Sequence, residues 1–466
     1  MMKWLFQRLD LVVFFGSVLA IVYTVGFLTA EYRFFPYEIV RDAKRGLQAW
    51  QALENDDFPV KLREEIEDPD LAANPVTFSQ DSGQEYLLIT GGFFQNMDKC
   101  PEFGCIAWII DRSGKIVKTW TADPNDFLDG MDHVEGDTKA LNIYISGISL
   151  DDDGNIIAVF QGRNTFPYQI GMAKFSQSGE MMWRRHDHTH HWATILADGS
   201  IAAPSSRFIP TAEFSPDTGV QQRCTDDVVQ SQGVRIVSPS GDLIEDLWFD
   251  EMFAKAGLNG VLSAASDACN PHHVNGIATV TEAGAQYLNH AKAGDLAVSL
   301  RTPSVVAIVN IEEKTVVDVV GSYFAAQHSP NFLADGSLVV FDNQGGQRAD
   351  GGTRILAIKS NLSELRTIFP NGPLAKPFLP FDSAEEGVTA ISADGTRVLI
   401  SESLNERYIE VDASTGAPLW AMESVANMAP FLDSLGVEYS TGHNLVTAKG
   451  AYYVPTDHIV LQGLGQ

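Results

Sequence analysis

Two kinds of short hairpin alternate along most of this chain, and that alternation limits the fold more than any other feature. In the first kind a hydrophobic strand runs into an Asp-Gly-type turn and re-emerges as a strand, at residues 149–157, 197–201, 294–298, 334–338, 393–397 and 448–452. In the second kind the turn often carries Ser-Gly or Thr-Gly, at residues 111–115, 177–180, 239–242, 311–314, 359–362 and 413–416. Such turns between β-rich runs are hairpin signals. Six of each, recurring every roughly 45 to 70 residues with four strands per unit, predict a six-bladed β-propeller. The ends complement each other: residues 86–120 read as an outer pair lacking an inner one, and residues 443–460 as an inner pair lacking an outer one. Joining them completes a blade and leaves no free sheet edge.

Histidines fall at blade entries. His328 opens the run His328-Ser-Pro-Asn-Phe-Leu-Ala-Asp-Gly-Ser-Leu-Val-Val-Phe-Asp-Asn343, and His191 opens a matching run through Ile201. His273 and His443 precede looser versions. In a propeller the innermost strands line the axial channel and enter from one face. Imidazoles just before them are therefore expected to converge at its mouth, where they can ligate a metal or act on an anionic group. In the tract His186-Asp-His-Thr-His-His191, strand alternation predicts that His190 and His191 cannot both point inward. His186 and His188 are read as solvated. The acidic loop 123–132 does not fit a calcium-binding EF-hand loop.

Residues 11–30 are twenty consecutive residues without a charge, the length of a helix across a bilayer. No Ala-x-Ala cleavage site follows, so an anchor is expected rather than a removed signal. Pro36 to Leu53 reads as a helix with one apolar face, and residues 55–80 as an acidic linker. The expected organisation is a tail (1–10), a transmembrane anchor (11–30), a helical stem and linker (31–80), and the propeller (81–466). Basic residues flank the span on both sides, so charge does not settle its orientation. The four cysteines suit two disulfides, Cys100–Cys105 and Cys224–Cys269, in an oxidising compartment, which places the propeller on the periplasmic or extracytoplasmic side. A formal net charge of −28 argues against nucleic acid as a partner.

The His-x-x-x-x-Leu-x-Asp-Gly-x-Leu pattern at His328, matched at His191 with Ile201 in the last place, His273-x-Asn275, and the strand end Ser-Leu-Arg301 together resemble the bacterial aryl-sulfate sulfotransferases, which use no nucleotide sulfate donor. The first blade, Leu88-Ile-Thr-Gly-Gly92 with Trp108 and Trp120, is similar to that family as well, and the resemblance spans roughly residues 84 to 460. It implies a periplasmic six-bladed propeller in which a histidine takes a sulfuryl group from a phenolic sulfate ester and passes it to a phenol. It implies that His328 is the nucleophile and that His191, His273, Asn275 and Arg301 hold the sulfuryl oxygens. Thr389 matches a late threonine of the family by its place before Ala393-Asp-Gly. Together with His443 it is read as substrate-binding. The expected mechanism uses no metal or other cofactor: neutral His328 attacks sulfur, and Arg301, Asn275 and a protonated His191 or His273 stabilise the oxygens. The expected partners are an aryl sulfate donor and a phenolic acceptor, with the membrane reached through the N-terminal helix. Two other functions fit the same residues: a membrane-tethered binding propeller without catalysis, and a metal-dependent hydrolase or lyase.

Overall fold

The computed structural model describes residues 9–32, 65–80, 83–91, 100, 105–136, 138, 143–163, 165–214, 223–359 and 364–462. The chain divides into two compact units, Met1–Pro59 and Val60–Gln466.

In the first unit, Leu9–Tyr32 is a 24-residue α-helix. Its side chains are described at Leu11 and over 13–28, where large apolar groups such as Phe14, Leu19, Val22 and Tyr23 are exposed. Among the described residues no helix is long and apolar enough to cross a membrane. The stem helix predicted over 36–53 lies outside the described residues.

The second unit is a six-bladed β-propeller of antiparallel sheets. From the inside outwards, blade 2 is Ile143–Leu150, Ile156–Gly162, Gln169–Phe175 and Met181–His186. Blade 3 is Thr194–Ile195, Ile201–Pro210, Val228–Val237 and Leu243–Trp248. Blade 4 is Val274–Thr279, Leu296–Leu300, Val305–Asn310 and Thr315–Gly321. Blade 5 is His328–Phe332, Leu338–Asp342, Arg354–Lys359 and Glu364–Phe369. Blade 6 is Val388–Ile391, Arg397–Glu402, Arg407–Asp412 and Pro418–Glu423.

Blade 1 closes the ring with one C-terminal strand, Ala451–Val454, inside three N-terminal ones: Tyr86–Thr90, Ala107–Ile110 and Ile116–Trp120. The split is one strand to three rather than the expected two to two. His443–Leu445 pairs instead with Val425–Asn427 in a separate ribbon, so residues 448–452 lead into the innermost strand and make no hairpin. Part of the predicted linker also belongs to the propeller. Val76–Ser79 adds a fifth strand outside Pro418–Glu423, and the Ile66 amide donates to the His443 carbonyl at 2.7 Å.

Strand alternation explains the packing between blades. In Leu338–Asp342, Leu338 and Val340 pack towards blade 4, whereas Val339 and Phe341 pack towards blade 6. Both faces of a middle strand are therefore apolar. The outer turns interlock. The indole N–H of Trp120 donates to the Ser176 carbonyl (3.1 Å), that of Trp183 to Pro239 (3.0 Å) and that of Trp420 to Arg112 (2.9 Å). In each case the acceptor sits at the outer turn of the next blade. Gly241, at φ +87°, lies under the Trp183 ring, and a Cβ there would stand 2.7 Å from it. Only glycine combines that backbone with that contact. Cys224 is joined to Cys269 and Cys100 to Cys105, with Cα separations of 4.8 and 5.4 Å.

Candidate functional site

The starts of the innermost strands do converge. A cavity of about 160 Å³ is lined by residues from all six blades. Its chemistry comes from Lys449, Tyr144, His191, His273, His328 and Glu386, with Gln161, Tyr168, Trp192, Asn275 and Ser329 completing the wall. A ~150 Å³ protein cavity holds one benzene ring, so this one has room for an aromatic group. The entry backbones are unusual. His191, His273, Ser329 and Glu386 have φ of 58°, 43°, 48° and 60°. Non-glycine residues adopt that region sparingly, and such strain gathers at functional sites.

Hydrogen bonds to Nδ1 assign the proton on each imidazole. The amide nitrogen of Asn343 donates to the carbonyls of Ser383 (2.6 Å) and Glu386 (2.5 Å). Its Oδ1 therefore faces His328 Nδ1, at 2.7 Å, and must accept. Neutral His328 carries its proton on Nδ1, leaving a lone pair on Nε2. His273 is the reverse. Its Nδ1 receives the Asn270 amide at 3.1 Å, so its proton sits on Nε2.

His191 is fixed through a relay. Gln169 and Gln230 both donate to Ser206 Oγ (3.1 and 3.0 Å), which leaves the Ser206 hydroxyl to donate to His190 Nε2 at 3.1 Å. His190 then donates from Nδ1 to His191 Nδ1 at 2.6 Å, and His191 also holds its proton on Nε2. One lone pair and two N–H donors thus belong to rings on the same cavity, and the His191 and His273 rings are 5.4 Å apart.

All these imidazoles are neutral near pH 7. Burial is the main cause. It brings His328 down to about 4, with the Asn343 bond opposing, and His273 down to about 3, with the charges of His328 and Arg301 adding. Burial also holds His190 and His191 well below the ordinary histidine value. The expected imidazolium at His191 or His273 does not fit this setting, because desolvation disfavours the charged form of both rings. Lys449 brings a positive charge to the cavity wall, whereas Arg301 is not among the lining residues and acts on the site through its charge. Arg301 N bonds the His273 carbonyl at 3.0 Å, and its charge depresses both His273 and His328. Its guanidinium makes no ion pair among the described residues.

Other expectations fare differently. Asn275 lines the cavity; its amide nitrogen donates to the Gln327 carbonyl at 2.9 Å and its Oδ1 is buried without a partner. Thr389 does not reach the cavity. It is 1 % exposed, and its hydroxyl donates to the Ser329 carbonyl at 3.1 Å, which joins blades 5 and 6. His443 is also elsewhere. It lies beside a larger cavity of about 750 Å³ with Trp108, Tyr408 and Met422, because its strand pairs with Val425–Asn427. Lys449, two residues before Ala451, holds the entry position assigned to His443.

Only one of the adjacent pair faces the channel, as expected: His191 lines the cavity, whereas His190 is fully buried behind it, between His191 Nδ1 and Ser206 Oγ. His186 and His188 are part-buried rather than solvated. His186 Nε2 bonds the Phe127 carbonyl at 2.5 Å, and His188 packs on His133 and Phe208. The acidic loop forms a short helix, Pro124–Leu128, capped by Asp123.

Fold and site together define a closed six-bladed propeller with an axial cavity built on neutral histidines. No family model matches the sequence, and no curated protein matches it. Among solved structures, similar chains include a protein of unknown function from Bacteroides caccae, at 13% identity and a TM-score of 0.43, covering 73% of this chain and 94% of that one. Virginiamycin B lyase from Staphylococcus aureus is similar at 10% identity and a TM-score of 0.34, covering 60% and 71%. Hydrazine synthase from Kuenenia stuttgartiensis is similar at 9% identity and a TM-score of 0.37, covering 75% and 79%. At these identities and scores none of them bears on function.

Proposed function

We propose that this protein is an aryl-sulfate sulfotransferase that moves a sulfuryl group from a phenolic sulfate ester to a phenol through a sulfo-histidine at His328. The observation that carries this reading is the pattern of protons: a lone pair at His328 Nε2 beside N–H donors at His191 and His273. Sulfuryl transfer, like phosphoryl transfer, has a loose in-line transition state with charge on the equatorial oxygens. His328 Nε2 bonds sulfur as the ester S–O bond breaks, and the electron pair leaves on the phenolic oxygen. The two N–H groups and Arg301 take the charge on the sulfuryl oxygens, each preorganised donor contributing about 2.7–4 kcal/mol. A phenolate then enters by the reverse path and frees His328.

The protonation pattern also weighs against the metal-dependent alternative. A metal would need lone pairs where His191 and His273 hold protons. Among the described residues no cluster of three acidic, histidine or cysteine side chains has metal-binding geometry. The test is incubation with 4-nitrophenyl sulfate with and without phenol. Phenol-dependent release of nitrophenolate supports transfer, and no release with any phenolic acceptor rejects it in favour of a binding propeller.

We also propose that residues 11–30 anchor the chain in a membrane, with the propeller on the oxidising side. The run of twenty uncharged residues supports the anchor, and the two disulfides support the side. Extraction from membranes by alkaline carbonate alone would reject the anchor. Resistance of the propeller to protease added outside the cytoplasmic membrane would reject the orientation.

A further inference from the structure

Blades 6 and 1 bring a carboxylate and an ammonium to the same cavity, and nothing in the reaction above yet uses them. Glu386 occupies the blade 6 entry, as His273 does in blade 4, and its φ is likewise positive. Lys449 occupies the blade 1 entry. Lys449 Nζ lies 2.7 and 2.8 Å from the two Glu386 oxygens and 4.9 Å from the centre of the Tyr144 ring. The lysine side chain is 15 % exposed and that of Glu386 43 %. Burial pushes the Glu386 carboxyl up, but the charge and hydrogen bonds of Lys449 outweigh it and hold Glu386 below its ordinary value. A carboxylate so held is a poor base. It serves instead to hold and aim the ammonium.

Two of the three ammonium hydrogens go to Glu386. The third remains for a group in the cavity, beside the aromatic walls of Tyr144, Tyr168 and Trp192. Glu386 is also tied to the nucleophile, since Asn343 bonds both His328 and the Glu386 carbonyl.

Resting on the sulfotransferase reading, we propose that Lys449, positioned by Glu386, binds the phenolic oxygen and takes its negative charge as the donor phenolate leaves and as the acceptor phenolate enters. In the first half the S–O electron pair departs on that oxygen and Lys449 donates a hydrogen bond to it. The released phenolate is then protonated by water. In the second half the acceptor phenol gives its proton to water, binds Lys449 as the phenolate, and forms the new S–O bond as the S–N bond to His328 breaks. No oxidant or other reactant is required. The site would take phenols rather than alcohols, because an alkoxide is too basic to be stabilised by one ammonium.

The test is Lys449→Met, and Lys449→Arg, over a series of aryl sulfates from 4-nitrophenyl to phenyl sulfate, with sulfuryl incorporation at His328 followed by mass. The ratio of rates across donors does not depend on how much of each preparation is folded. Lys449→Met is expected to lose about 10²-fold with phenyl sulfate and far less with 4-nitrophenyl sulfate, whose leaving group needs less help. Lys449→Arg is expected to recover part of the phenyl sulfate rate. Incorporation with equal losses across the series would overturn the role of Lys449 while leaving the sulfo-histidine intact. No incorporation in the wild type with any donor would overturn both.

Discussion

His328 Nδ1 lies 2.7 Å from Asn343 Oδ1, and that bond decides which nitrogen of His328 meets a ligand. Asn343→Ala removes the acceptor and frees the ring to hold its proton on either nitrogen. A fall in kcat of about 10²-fold is expected, within the range for losing a correctly held proton-transfer partner. Steady-state kinetics beside a circular dichroism spectrum of the folded protein checks it. Unchanged kcat in folded Asn343→Ala would remove the basis for assigning Nε2 as nucleophile.

Because His328 titrates near pH 4, its nucleophilic form persists well below the ordinary histidine range. The acid limb of kcat/KM is expected near pH 4, measured with a donor whose ionisation does not change in that window. A limb near pH 6.5 would mean that His328 is more solvated than its 6 % exposure indicates.

The same depression makes stability fall with acid. The folded pKa lies below the unfolded one, so the unfolded chain takes up the proton first. The contribution of His328 is full above about 6.5 and is lost as pH falls through that value towards 4, a change of about 3 kcal/mol. Urea midpoints from pH 7 to pH 4 are expected to drop for the wild type and to drop less for His328→Asn. Parallel curves would contradict the burial of a neutral imidazole.

Ser206 sits two bonds away from the cavity. Ser206→Ala leaves Gln169, Gln230 and His190 without their shared partner, costing about 1–3 kcal/mol. It also frees the His190 and His191 protons to redistribute. Lower thermal stability together with a lowered kcat is expected. A stability loss alone, with kcat unchanged, would show that the relay only packs the blade.

Cys269 lies four residues before His273, and its carbonyl accepts from Gln230 at 2.8 Å. The Cys224–Cys269 bond, with a sequence separation of 45, therefore ties the approach to His273 to blade 3. Replacing both cysteines by serine is expected to cost about 2–4 kcal/mol and to lower activity more than removing Cys100 and Cys105. Equal activity of the two double variants would disconnect this bond from the site.

The ring was legible because hairpin turns are local. Five outer turns and five of the six inner ones fall where the sequence places them, and the outer turn at 359–362 lies mostly outside the described residues. The sixth inner turn failed because Lys449-Gly450 looks like a turn but enters the innermost strand. That also explains why His443 was favoured over Lys449. Glu386 escaped for a related reason: it is no histidine, and only its place before the inner strand Val388–Ile391 marks it as an entry residue. His190, Ser206 and Asn343 were beyond reach. Their roles depend on hydrogen bonds across 15 residues or more, which no periodicity announces. Thr389 was placed on the correct strand, but its hydroxyl is spent on the joint between blades 5 and 6.

The most direct test of His328 as the acceptor of the sulfuryl group is intact-protein and peptide mass after brief exposure to an aryl sulfate without acceptor. The expected result is a gain of about 80 Da, one sulfuryl group, on the peptide holding His328, discharged when phenol is added. No gain, or a gain that persists in His328→Asn, would contradict it.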